Sequence, residues 1–330
     1  MAQTGTLLEV RGLSAQFTRQ GTTTRVVKGI SFDIAPGEAV GFVGESGCGK
    51  SVTARAILRL APEGSSLQLG GAILFHGQDL LQLPERAMHD IRGRRIAMVF
   101  QDPMTSLNPV MTVGAQIDDM VRRHTGASAR DARRRTVELL GLVGIRDAAL
   151  RANDHPHQFS GGMRQRVLIA MALVGQPELL IADEPTTALD VTLQAQILQL
   201  LRELVATSHT SVLLITHNLG VVAQICSHVA IMYAGHVVES GLAREVLAHP
   251  RHPYTRALLA ALPRAATPRG ALANLPGRVP NLVDAPPGCR FAPRCPRALA
   301  ACGQGLPDAQ ALSATHRVAC INLPEAEVVS

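Results

Sequence analysis

Short apolar runs alternate with longer segments of helical spacing along this chain of 330 residues. The runs at 39–43, 96–100, 179–182 and 212–216 have strand length and hold almost no polar residue. Continuous runs of this kind are what a strand buried on both faces requires. Residues 51–60 and 167–174 read as helices, and 130–142 as a helix with an exposed, charged face. Residues 192–205 read as an amphipathic helix between the last two strands. Strands alternating with helices predict an α/β unit whose mostly parallel sheet is covered on both faces. The sequence has no internal repeat, so it carries one copy of this unit.

Composition narrows the class. With 46% hydrophobic and 18% charged residues, the chain has the make-up of a globular protein with ample length for a core. No stretch approaches the roughly 18 consecutive apolar residues of a membrane span, and residues 1–10 lack a basic-then-apolar leader pattern. The expectation is a cytoplasmic protein whose membrane role passes through a partner. Aromatic residues make up only 3% and Trp is absent, which argues against a base-stacking nucleic-acid platform. Lysine occurs only at Lys28 and Lys50. Charge is uneven as well. Residues 251–330 hold nine arginines against four acidic residues, nearly the whole net charge of +6, together with four of the six cysteines and eleven of the twenty prolines. A boundary near residue 250 follows, with an α/β region at 1–250 and a Pro-rich, Cys-bearing extension at 251–330.

One motif dominates the chemistry. Gly44-Glu45-Ser46-Gly47-Cys48-Gly49-Lys50-Ser51 follows a predicted strand and precedes a predicted helix, the setting a phosphate-binding loop needs. Its glycines let backbone N–H groups converge on phosphate oxygens, and the helix N-terminus adds partial positive charge. Lys50 supplies a point charge for the β- and γ-phosphates, and the Ser51 hydroxyl a ligand for Mg²⁺. A second motif, Leu179-Leu180-Ile181-Ala182-Asp183-Glu184, ends a buried strand in two carboxylates. Strand ends are where ligands sit in open α/β sheets. Asp183 would hold Mg²⁺, directly or through water, and Glu184 would polarise the attacking water. Taken alone, the two acids could equally be a solvated turn or a helix cap. A third segment, Phe159-Ser160-Gly161-Gly162-Met163-Arg164-Gln165, opens a helix with a second anion-binding turn. One nucleotide has no need of two such turns on one chain, so this turn reads as serving a nucleotide held by another subunit.

With these motifs the chain resembles the ATP-binding subunits of ABC transporters, whose signature is usually Leu-Ser-Gly-Gly-Gln; here Phe159 and Met163 stand at the flanking positions. The resemblance implies a P-loop NTPase fold with a RecA-like core and an inserted helical subdomain at about 104–160 that docks a membrane partner. It implies that Ser160, Gly161 and Gly162 contact the γ-phosphate across a dimer. Gln101 resembles the glutamine that reaches Mg²⁺ and the attacking water. Ala188-Leu189-Asp190 resembles the loop at the dimer interface, and His217 the histidine that contacts the γ-phosphate. Phe17 resembles the aromatic residue that stacks on adenine, with a core Phe as the other reading.

The extension carries Cys289, Cys295, Cys302 and Cys320, separated by five, six and seventeen residues. In a cytosolic chain four thiols suit Zn²⁺ or an iron–sulfur cluster equally well in number, and unliganded core cysteines are the third reading. The stretches His252-Pro253-Tyr254-Thr255-Arg256-Ala257-Leu258-Leu259, Leu275-Pro276-Gly277 and Pro287-Gly288-Cys289-Arg290-Phe291-Ala292-Pro293-Arg294-Cys295-Pro296 resemble the C-terminal extension of oligopeptide/dipeptide permease ATPases. So does His155-Pro156-His157-Gln158 ahead of the signature. That resemblance implies a [4Fe–4S] cluster in preference to Zn²⁺. It also implies ATP and Mg²⁺ as cofactors, and a second ATPase subunit, identical or related. Two membrane permeases, an extracytoplasmic peptide-binding protein and a peripheral place on the cytoplasmic face of the inner membrane complete what it implies. The rival readings are a soluble ATPase of the same family acting on DNA or ribosomes, an importer of nickel or another solute, and a metal-sensing regulator built around the cysteines.

Overall fold

A computed structural model describes residues 5–62, 64–101, 106–187, 189–262, 275–283, 285 and 287–323. The chain divides into two compact units interleaved along the sequence. One comprises Met1–Gly5, Ala35–Ala39 and Gln82–Ile215; the other Thr6–Ile34, Val40–Leu81 and Thr216–Ser330.

The first unit is the α/β pattern that the apolar runs predict. Ile96–Val99, Leu179–Asp183 and Ser211–Thr216 form parallel ladders, with Met98 opposite Ile181 and Ile181 opposite Leu213. The two latter strands are buried at every residue. That burial on both faces is why their sequences are continuous and not alternating. The helix expected over 130–142 spans Ala129–Leu142 and buries Ala132, Thr136, Leu139 and Leu140 on one face. Ser128 caps it by accepting the Asp131 N–H. Its neighbour Val113–Thr125 is capped by Thr112, which accepts the Ala115 N–H, and stops at Gly126 in the left-handed region with φ 70°. The amphipathic segment becomes Val191–Ser208, burying Ile197, Leu198, Leu200, Leu201 and Leu204.

The second unit departs from the parallel expectation. Leu8–Arg19, Thr22–Ile34 and Ser66–Phe75 form an antiparallel sheet with Leu8–Arg19 in the middle, joined at the edge by Gln78–Asp79. The hairpin turns at Gln20-Gly21, both with positive φ (50° and 78°), the geometry that matches strand twist. The sequence signals this turn weakly because Gln is an unusual residue at such a position. Elsewhere in this unit Ala39–Val43, buried throughout, pairs parallel with His228–Tyr233. That strand pairs antiparallel with His236–Leu242, which carries His316–Val318 on its other side. Gly41 faces Val222 and Cys226 so closely that a Cβ would lie 2.8 Å from Val222.

Candidate nucleotide site

In the second unit the buried strand Ala39–Val43 feeds directly into Gly44 and the loop curls back into the helix Lys50–Ile57. Gly44 has no room for a side chain: a Cβ would sit 2.2 Å from the Met232 carbonyl oxygen. Gly49 takes φ 104° at the helix start, a conformation that an L side chain resists. The Lys50 side chain folds back into the loop. Its Nζ donates to the carbonyls of Gly44 (2.7 Å) and Glu45 (3.1 Å), and the residue is 4% exposed. Cys48 is buried beneath it, and that burial pushes its thiol pKa up. The Cys48 carbonyl accepts the Gly235 N–H at 2.8 Å. Ser46 and Gly47 are exposed at the loop crest, and Ser51 is half-buried in the first helical turn.

Two further predicted residues belong to this unit. Phe17 lies in the strand Leu8–Arg19, paired with Thr24 and Leu67 and half-buried. His217 is exposed one residue past the strand Ser211–Thr216, and Asn218 after it caps the helix Leu219–Ile225.

In the first unit the buried strand Leu179–Asp183 ends at Asp183, only 1% exposed, which excludes the solvated-turn reading for that residue. Glu184 follows in the left-handed region at φ 48° with its N–H on the Ile215 carbonyl (2.9 Å). Its Oε2 accepts from the Thr187 hydroxyl at 2.8 Å and from Gln101 Nε2 at 3.2 Å. The structure thus brings Gln101 and Glu184 together across 83 residues of sequence. Sequence reasoning missed Thr187; a hydroxyl three residues after an acid is too common to mark it.

Ser160 is the N-cap of the helix Gly161–Ala172, with its Oγ accepting the Met163 N–H. Ser160 and Gly161 are exposed. Gly162 is buried, and a Cβ there would come within 2.7 Å of Leu193. Asp190 caps the helix Val191–Ser208 through the Leu193 N–H at 2.9 Å. Ala188 lies outside the described residues.

The four cysteines of the extension lie near one another in the second unit. The other three thiols act electrostatically on Cys320, and burial pushes Cys289, Cys295 and Cys320 up. Each sulfur faces a backbone N–H: Phe291 and Ala292 for Cys289, Arg297 for Cys295, Leu299 for Cys302 (3.5 Å) and Asn322 for Cys320 (3.4 Å). Backbone donors aimed at sulfur stabilise thiolates. Among the described residues, no three His, Cys, Asp or Glu side chains are grouped to hold a metal ion.

Comparison with known proteins decides the family. Residues 27–187 match the family described as ABC transporter, and residues 238–302 match the one described as oligopeptide/dipeptide transporter, C-terminal region. A probable peptide ABC transporter ATP-binding protein of Sinorhizobium fredii is 50% identical over 95% of this chain and 94% of its own. The chain belongs to the ABC transporter ATP-binding family. It binds and hydrolyses ATP as the ABC ATPases do. The dipeptide transport ATP-binding protein DppD of Bacillus subtilis is 48% identical, over 95% of this chain and 94% of its own. Among solved ABC structures, the cassette MJ0796, a dimer bound to ADP and Pi, superposes with TM-score 0.63 at 27% identity, covering 72% of this chain and 99% of that one. No helix among the described residues is long and apolar enough to cross a membrane.

Proposed function

We propose that this chain powers the import of dipeptides or oligopeptides. It works with a second ATPase subunit on two membrane permeases fed by an extracytoplasmic binding protein. The chain then sits peripherally on the cytoplasmic face of the inner membrane. The observation that carries this reading is the pairing, in one chain, of an ABC match over 27–187 with an oligopeptide/dipeptide transporter match over 238–302.

In this reading residues 44–51 receive the triphosphate. Lys50 leaves the carbonyls of Gly44 and Glu45 for the β- and γ-phosphate oxygens, and the loop N–H groups take the rest. Glu184 accepts a proton from the attacking water, held for it by Gln101 and the Thr187 hydroxyl. His217 donates to the γ-phosphate, and Phe17 lies against the adenine. Ser160, Gly161 and Gly162 close over the γ-phosphate held by the partner ATPase, with Asp190 at the seam. Ser51, Asp183 and Gln101 would each offer Mg²⁺ an oxygen, the donor type this ion prefers. When bound, the ion supplies charge to offset the phosphates. Cys289, Cys295, Cys302 and Cys320 would hold a [4Fe–4S] cluster, with Zn²⁺ the alternative.

The test is purification of the tagged chain from detergent-solubilised membranes, followed by ATPase assay of the complex. Permeases and a receptor should co-purify, and peptide-loaded receptor should stimulate hydrolysis. Stimulation by nucleic acid or ribosomes, with no permease present, would replace the transport reading. Stimulation by a nickel-loaded receptor and not by a peptide-loaded one would change the cargo. A brown preparation that bleaches on acidification identifies iron–sulfur; a colourless one prepared without oxygen excludes it.

A further inference from the structure

The segment between Cys289 and Cys295 is fastened to the phosphate loop at several points, all within the second unit. Arg294 Nη1 donates to both carboxylate oxygens of Glu45, the second residue of the loop, at 3.0 and 3.2 Å. The Arg294 side chain is 6% exposed and that of Glu45 30%, so the arginine end of the pair is shielded from solvent. The same nitrogen donates to the Tyr233 hydroxyl at 3.2 Å, and the guanidinium lies 5.7 Å from the Tyr233 ring centre. The rest of the fork is used by main chain: Nε donates to the Pro276 carbonyl at 2.9 Å and Nη2 to that of Leu275 at 3.3 Å. Gly277 makes the room, since a Cβ there would come 3.3 Å from Arg294 Cγ. The Leu275-Pro276-Gly277 motif is therefore a socket for one arginine.

The backbone of Glu45 is held too. Its N–H donates to the hydroxyl of Tyr254, a fully buried residue packed edge-on against Tyr233 at 4.6 Å, with Phe291 against both rings. Arg290 donates to the Ala234 carbonyl, and the neighbouring Gly235 N–H holds the Cys48 carbonyl. Residues of the extension thus grip the loop at Glu45 directly and at Cys48 through Ala234-Gly235.

The charge arrangement gives these contacts a functional sign. A loop that receives a triphosphate carries one lysine, and a free carboxylate beside it would cancel much of that lysine's attraction. We infer that Arg294 is a positioning residue for ATP binding: it neutralises Glu45 and holds the phosphate loop in its receptive shape, so the extension is a working part of the nucleotide site. A guanidinium fork suits the task better than an ammonium would, because it serves carboxylate, phenol and two carbonyls at once. The inference rests on reading residues 44–51 as the triphosphate seat.

The experiment measures ATP KM and kcat on the purified complex for Arg294→Ala, Glu45→Gln and the double variant, with Lys50→Ala alongside. Arg294→Ala should raise KM about tenfold with kcat within about twofold, the loss expected for one charge-assisted contact. Adding Glu45→Gln should return most of that loss, because the uncompensated charge is then gone. Arg294→Lys should fall between the two. If the double variant is no better than Arg294→Ala, the arginine acts only as a brace for the extension and the inference fails. If Lys50→Ala leaves ATP binding intact, the loop reading itself fails. If Arg294→Ala does not fold, Arg294→Lys decides: an ammonium that cannot serve the whole fork should raise KM severalfold with kcat within about twofold, and an unchanged KM would overturn the inference.

Discussion

The turn at Gly44–Gly49 and the turn at Ser160–Gly162 each deliver glycines to a helix N-terminus, yet their surroundings differ. At the first, the chain itself engages the chemistry. Lys50 is buried on the loop carbonyls, and the Glu45 carboxylate is paired with Arg294. At the second, Ser160 and Gly161 are exposed, and the serine hydroxyl serves its own helix cap. The first turn is braced by side chains from far along the chain, although Ser46 and Gly47 at its crest are exposed; the second is held by its own cap. The contrast is what one expects if the first turn receives a nucleotide from solvent and the second meets a nucleotide brought by another protomer.

The largest blow to this contrast should come from neither turn. Glu184→Gln should keep ATP binding while turnover falls about a thousandfold, as loss of a general base does. Phosphate release and nucleotide titration on one preparation check both halves, and an unchanged rate removes Glu184 from the chemistry. Next in size, Gly161→Asp should leave ATP binding by the isolated chain unaltered and cut hydrolysis in the assembled dimer about a hundredfold. The position has space in its own chain, since a Cβ would meet nothing nearer than Leu189 at 3.9 Å, so the new charge acts on whatever docks there. Lost binding in the isolated chain would show that the two turns are not separate in function.

The smallest effect concerns the bracing of the first turn. His252 is buried, with Nδ1 accepting the Tyr254 N–H at 3.0 Å. Burial lowers its pKa from 6.5 to about 4, against the partial opposition of Glu239. Unfolding lets this ring take a proton between those values, so stability falls as pH drops through that window. From pH 7 to pH 5 the loss from this group should be about 2 kcal/mol, measured by urea unfolding at each pH. His252→Asn keeps a cap acceptor and should flatten that slope; an unaltered slope would assign the acid sensitivity elsewhere.

Legibility in the sequence followed burial and local spacing. Leu179–Asp183 was readable because a strand covered on both faces must be apolar throughout, and residues 44–51 because the loop's glycines and lysine are fixed by spacing. The antiparallel sheet built on Leu8–Arg19 was not read, since its half-buried strands alternate imperfectly across irregular registers. In the sequence Arg294 stands out only as one residue of a stretch that resembles the family's extension. Its partner Glu45 is 249 residues away in the chain, a separation over which no local pattern carries information. Gln101 meets Glu184 for the same reason, whereas Thr187 lies three residues from it, a spacing too common to mark the contact.

Residue 184 stands in a left-handed backbone turn, where glycine or asparagine would rest more easily than glutamate by about 1 kcal/mol. Evolution of this protein under heat alone would therefore drift toward a tougher molecule with a silent centre. A library sorted for survival must be sorted a second time for phosphate release, or its best-ranked members will be the ones that no longer work.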